Sequence, residues 1–149
     1  MKSQFIYLIL ALITGALIPV QASTNASFSK SIGSPFVTGL MVLTIGLIGM
    51  IVFVFSTGTS LPSLMQLKAA PAYSYLGGII VAMYVVMITI LVPRLGVGTS
   101  IALIVTGQIL FSVIIDHFGL FDTPVRAIDV KRLMGILMMI GGIYFVMKK

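Results

Sequence analysis

The sequence predicts an all-α integral membrane protein with five transmembrane helices. Three observations predict it. Five charge-free stretches, each near the length of a bilayer span, follow one another through the 149 residues. All nine Lys/Arg and all three Asp fall between or at the ends of these stretches, as expected where a charge at mid-bilayer costs roughly 2.5–3.5 kcal/mol. Hydrophobic residues make up 59% of the chain and charged residues 8%, more apolar surface than one small soluble core can hide, so lipid must cover the rest.

The expected spans are about 5–25, 35–55, 75–91, 96–115 and 133–147, forming one membrane domain over 1–149. The first is apolar from Phe5 to Val20 and continues with polar residues that can still be helical. Lys2, the apolar run and Val20-Gln21-Ala22 also fit the pattern of a cleaved signal peptide, which would leave four spans. The second span contains Gly39, Gly46 and Gly49. Residues 56–73, rich in Ser, Thr, Gly and Pro, read as a loop. Pro93-Arg94 reads as the turn closing the third span. The fourth meets Asp116-His117. The fifth lies between Lys131-Arg132 and Lys148-Lys149, and these cations can snorkel to extend a short apolar core.

Composition also excludes functions. Cations are scattered over loop ends instead of massed on one face, which argues against nucleic acid despite a net charge of +6. With no Cys, no Glu and one His, the chain has too few groups for acid–base catalysis or a metal centre, so no catalytic residue, metal or cofactor is expected. Five spans place Lys2, Lys68, Arg126, Lys131 and Arg132 on one side, against Lys30, Arg94, Lys148 and Lys149 on the other. So small a bias permits a single weakly set topology or a dual one, with two orientations paired as an antiparallel dimer.

Polar groups within the spans are the candidate site. Thr14, Gln21 and Asn25, with Ile18, lie on one stripe of the first helix. Buried amides need partners, so the stripe serves either as interhelical glue or as substrate contacts. In the fourth helix Gln108, Ser112 and Asp116 follow at steps of four and line a narrow track. Asp116 is the sole carboxylate beside a span, either a proton-linked group or a solvated interfacial one. Gly135 and Gly142, seven apart on the fifth helix, share a face suited to close helix packing within the subunit or across a dimer.

Pro19-Val20-Gln21-Ala22 with Asn25-Ala26, then Gly33-Ser34-Pro35-Phe36, Tyr75-Leu76-Gly77-Gly78, Pro93-Arg94-Leu95-Gly96, Gly107-Gln108, Asp116-His117-Phe118-Gly119 and Arg132-Leu133 with Gly135 resemble, in order and spacing, the YdcZ-like family of the drug/metabolite transporter superfamily. The resemblance implies a five-span half of the ten-span transporter fold, in a bacterial inner membrane, acting as an exporter. It also implies that the first helix is retained, since its Pro/Gln/Asn signature straddles the apparent cleavage site. The small multidrug-resistance relatives couple export to protons through a Glu in the first helix. This chain has none, and Gln21 cannot titrate. The Gly135/Gly142 spacing is similar to the glycine pattern of the dimerising last helix in those relatives.

The expected function is therefore a small-molecule transporter working by alternating access, as a homodimer or a heterodimer with a paralogue. Thr14, Gln21, Asn25 and Gln108 are the expected substrate contacts, and Asp116 the proton-linked candidate. The alternative is a non-transporting membrane subunit packed against another protein.

Overall fold

The computed structural model describes the backbone of residues 2–147 and the side chains of residues 4–147. Lys148 and Lys149, counted above as anchors, lie outside the described residues. Among the described residues there are six α-helices and two short 3₁₀ turns, and no strand. They are α1 (Lys2–Ile32), α2 (Pro35–Ser56), α3 (Leu64–Ala69), α4 (Leu76–Leu95), α5 (Val97–Phe118) and α6 (Val130–Met147). All but α3 contribute a stretch long and apolar enough to cross a membrane, giving five spans. The contacts divide the chain into two compact units, residues 1–94 and 95–149.

In the first unit, α1 and α2 form a helical hairpin. At 31 residues α1 is about 46 Å long, more than a hydrocarbon core of about 30 Å needs. Its polar half, through Lys30, is therefore long enough to reach the headgroup region. The helix runs unbroken through residues 20–22. Pro19 lies inside it, and its missing N–H leaves the Gly15 carbonyl without the usual helical donor.

The turn into α2 is built from three residue types with separate duties. Gly33 has φ +77°, a left-handed conformation that ends α1 without the penalty a side chain would bring. Ser34 is the N-cap of α2, its hydroxyl accepting from the Val37 N–H at 3.3 Å. Pro35 takes the first helical position, where a missing N–H costs nothing.

Residues 56–73 are not entirely loop. The short helix α3 starts at a capping box: the Ser63 hydroxyl accepts from the Gln66 N–H at 3.3 Å, and Gln66 Oε1 accepts from the Ser63 N–H at 2.8 Å. This Ser-x-x-Gln signal is visible in the sequence. The Tyr75 hydroxyl donates to the Leu67 carbonyl at 2.6 Å and ties α3 to the start of α4.

The third span also departs from expectation, because Pro93 does not end it. The helix continues to Leu95 with Pro93 inside. A proline so near the C-terminus removes one hydrogen bond, to the Thr89 carbonyl, and leaves the rest of the ladder intact. Gly96, at φ +84°, follows directly and marks the boundary. On α4, Val85, Ile88, Thr89 and Val92 are buried at helical spacing, and α2 contributes buried Thr38 and Gly39. At Gly39 the helices come close: a Cβ there would lie 2.8 Å from Val86 Cγ2.

In the second unit α5 packs against α6. Asp129 stands before α6, where its carboxylate accepts from the Arg132 N–H at 2.7 Å and its carbonyl from the Leu133 N–H at 3.0 Å. The fifth helix thus begins at Val130, three residues before its expected span, with Lys131 and Arg132 in its first turn.

Candidate functional site

The stripe on α1 is only partly turned inward. Asn25 is 4% exposed and Ala22 fully buried, while Ile18 and Gln21 are half-buried. These positions recur at three and four, the spacing of one helix face. Thr14 lies on the same stripe by spacing but is exposed, and its hydroxyl is spent on the Leu10 carbonyl of its own helix at 2.8 Å. The structure thus separates Thr14 from Gln21 and Asn25.

Asn25 has a further property. Its Nδ2 is buried and has no hydrogen-bond acceptor among the described residues. The other buried hydroxyls of this unit are satisfied at home: Thr38 Oγ1 donates to the Ser34 carbonyl at 2.9 Å and Thr89 Oγ1 to the Val85 carbonyl at 2.6 Å. The uncommitted donors are therefore those of Asn25. An amide left unpaired in this way costs about 1–3 kcal/mol on protein mutational scales.

In the second unit the polar track of α5 is longer than expected. Ser100, eight residues before Gln108 and so on the same track, is 1% exposed, and its hydroxyl has no partner among the described residues. The four-residue spacing that picks out Gln108, Ser112 and Asp116 also reaches Ser100. Its place near the helix start and its small side chain hid it. Gln108 and Ser112 are exposed, and the Ser112 hydroxyl donates to the Ile109 carbonyl at 2.9 Å.

Asp116 is held by a partner that sequence reasoning did not pair with it. Arg132 Nη2 donates to Asp116 Oδ2 at 3.2 Å, with the two side chains 30% and 34% exposed. The same guanidinium donates through Nη1 to the Arg126 carbonyl at 3.2 Å. The Arg126 N–H in turn donates to the Asp116 carbonyl at 2.7 Å, and the Ile128 N–H to His117 Nδ1 at 3.2 Å. These bonds clasp residues 119–129 onto the end of α5. A carboxylate in the last turn of a helix stands against the dipole, and Arg132 offsets that repulsion. His117 is thereby an acceptor for the loop backbone.

The clasp makes a prediction. Arg132 uses two branches of its fork on two acceptors, a geometry a lysine point charge cannot reproduce. Arg132→Lys is expected to loosen the loop nearly as much as Arg132→Ala, each costing about 1 kcal/mol, the upper end for a partly exposed ion pair. The measure is the rate of trypsin cleavage after Arg126. Parent-like protection in Arg132→Lys would show that charge alone holds the loop.

On α6, Gly135, Gly141 and Gly142 are exposed, and apart from chain neighbours and the helix's own backbone no described atom lies within 4 Å of where their Cβ atoms would stand. The glycine face is thus open, not packed inside the unit.

Five helices long and apolar enough to cross a membrane define a multi-pass membrane protein. The chain belongs to the family described as "Putative inner membrane exporter, YdcZ", whose model matches residues 6–145. It is accordingly an inner-membrane protein, surrounded by the bilayer, of a family described as exporters. No curated protein and no solved structure gives a significant match.

Proposed function

We propose that this chain is a bacterial small-molecule exporter that works by alternating access, with both units serving one transport function and Asn25 as its principal substrate contact. One observation carries the reading. Asn25 holds amide donors in a buried position with no acceptor among the described residues, on the inward face of the polar half of α1. A substrate with a carbonyl or other acceptor oxygen, arriving and leaving, satisfies those donors and removes the cost of leaving them unpaired. Gln21, one turn away, is a second contact, and Gln108 is a separate candidate contact within the second unit. Thr14 ranks below them, since its hydroxyl is already bonded. Asp116 is the proton-linked candidate.

The open face at Gly135 and Gly142 supports a dimer, a homodimer or a heterodimer with a paralogue, closed through α6. The same open face suits a different membrane protein, which is the second reading: a subunit that packs and does not transport.

The test begins with a thermal-shift screen of metabolites on the purified protein, because a ligand at 100 times its Kd adds about 2.7 kcal/mol of stability. Flux of a hit is then measured in proteoliposomes. Asn25→Leu is expected to abolish both the ligand-induced shift and the flux, while the unliganded protein is as stable as the parent or more so. If Asn25 were interhelical glue, the same variant would lose about 0.6 kcal/mol and keep ligand binding. Gln108→Leu is read in the same way, and Asp116→Asn is expected to remove the pH dependence of flux. Unchanged binding and flux in all three variants would favour the partner-subunit reading.

A further inference from the structure

At the α1–α2 turn the first unit opens into a cleft of about 560 Å³. That volume falls within the range of small-molecule sites. Ala26, Ser27, Ser29 and Lys30 of α1 line one wall, with Ser27 and Lys30 one turn apart, and Gly33, Pro35 and Pro93 line the remainder. The cleft lies at the ends of three apolar spans, where α1 finishes, α2 begins and α4 reaches Arg94. It therefore sits at the edge of the hydrocarbon layer.

Charge in this unit is one-sided. Residues 1–94 contain Lys2, Lys30, Lys68 and Arg94, and no Asp or Glu, since the three acidic residues are Asp116, Asp122 and Asp129. The unit thus offers Lys30 no carboxylate. Lys30 takes part in no ion pair among the described residues. The hydroxyls of Ser27 and Ser29 are likewise uncommitted among the described residues, although the Ser27 carbonyl accepts from Ser31. Pro35 and Pro93 have no N–H to offer, so that side of the cleft is apolar.

We propose that this cleft binds an anionic group, its phosphate or carboxylate oxygens on Lys30 and the two serine hydroxyls and its apolar part against Pro35 and Pro93. Anionic oxygens of this kind come either from a phospholipid headgroup at the membrane surface or from a soluble amphiphile. The site is separate from the Asn25 position, which does not line the cleft, and its test does not depend on transport.

The full-length protein is placed in phosphatidylcholine nanodiscs and its melting followed with three probes. They are phosphatidylglycerol blended into the disc, inorganic phosphate, and octanoate, the soluble anions being matched with chloride at equal ionic strength. At least one probe is expected to raise the melting temperature of the parent and of Lys30→Arg. In Lys30→Gln the apparent affinity should fall about tenfold, the loss of one charge-assisted contact. Lys68→Gln, on exposed α3 away from the cleft, should keep the parent response. A shift with phosphatidylglycerol alone assigns the site to lipid, and a shift with either soluble anion assigns it to a soluble ligand. The proposal is overturned if no probe shifts the parent, if Lys30→Gln responds like the parent, or if Lys68→Gln loses as much as Lys30→Gln.

Discussion

Gly119→Val is expected to lower the stability of the second unit by about 3 kcal/mol and to release the loop that joins α5 to α6. Two costs add. Gly119 caps α5 at φ 60°, ψ 33°, a left-handed conformation that costs an ordinary residue about 1–2 kcal/mol and a β-branched one more. A Cβ there would also lie 2.7 Å from Val125 Cγ2 and 3.3 Å from the Thr123 carbonyl oxygen, and the second of these is backbone that cannot swing aside. Phe121 and Asp122 already hold positive φ, at 58° and 61°, so the loop has little freedom left to absorb the change. The measurement is the midpoint of SDS-induced unfolding followed by circular dichroism, together with trypsin cleavage after Arg126. A companion variant separates the two costs. Gly119→Ala with Val125→Ala relieves the main contact and should retain the backbone penalty and the lesser Thr123 carbonyl contact, about 1–2 kcal/mol. A parent-like midpoint for Gly119→Val would mean that the clasp does not hold residues 119–129 as described.

Gly39→Leu is expected to cost the first unit about 3 kcal/mol, the upper part of the usual range for overpacking. Gly39 is buried on α2, and a Cβ would come within 2.8 Å of Val86 Cγ2 on α4. Valine in a helix is nearly confined to one rotamer, so Val86 cannot turn away. In lipid, where apolar surface gains little by leaving the solvent, helix association depends on such close backbone approach. Gly39→Ala should cost less, about 1 kcal/mol, and Val86→Ala should recover most of that loss in the double variant. The SDS midpoint again gives the reading, and the cycle fails if the two substitutions add independently. Gly46 and Gly49, on the same helix, have no described atom within 4 Å of where a Cβ would stand, apart from chain neighbours and the helix's own backbone. Alanine at either is expected to be harmless, which makes them internal controls.

Several motifs that mark the family are explained by such local duties. Gly33-Ser34-Pro35 is a helix stop, an N-cap and a first helical position in succession. Asp116, His117 and Gly119 with Arg132 form the clasp over one loop. These residues shape the turns between spans, whereas Asn25 stands inside a span with donors unmet. The signature residues at the turns and the one at Asn25 therefore answer different physical demands, one local to the backbone and one set by burial.

The sequence by itself determined the five spans, their order and the class of protein. Those follow from where charge is forbidden, a property each residue carries regardless of its neighbours in space. It also held the caps, because Ser63 with Gln66 and Gly33 with Ser34-Pro35 act over three or four residues. Tertiary structure alone decided the rest. Periodicity placed Thr14 and Asn25 on one stripe, but only the packed helices leave the first exposed and bury the second at 4% exposure with no acceptor. Spacing singled out Asp116, but its partner Arg132 is sixteen residues on, reached only when the loop folds back. Pairings at that separation depend on how elements meet, and hydropathy along one chain contains no term for the meeting.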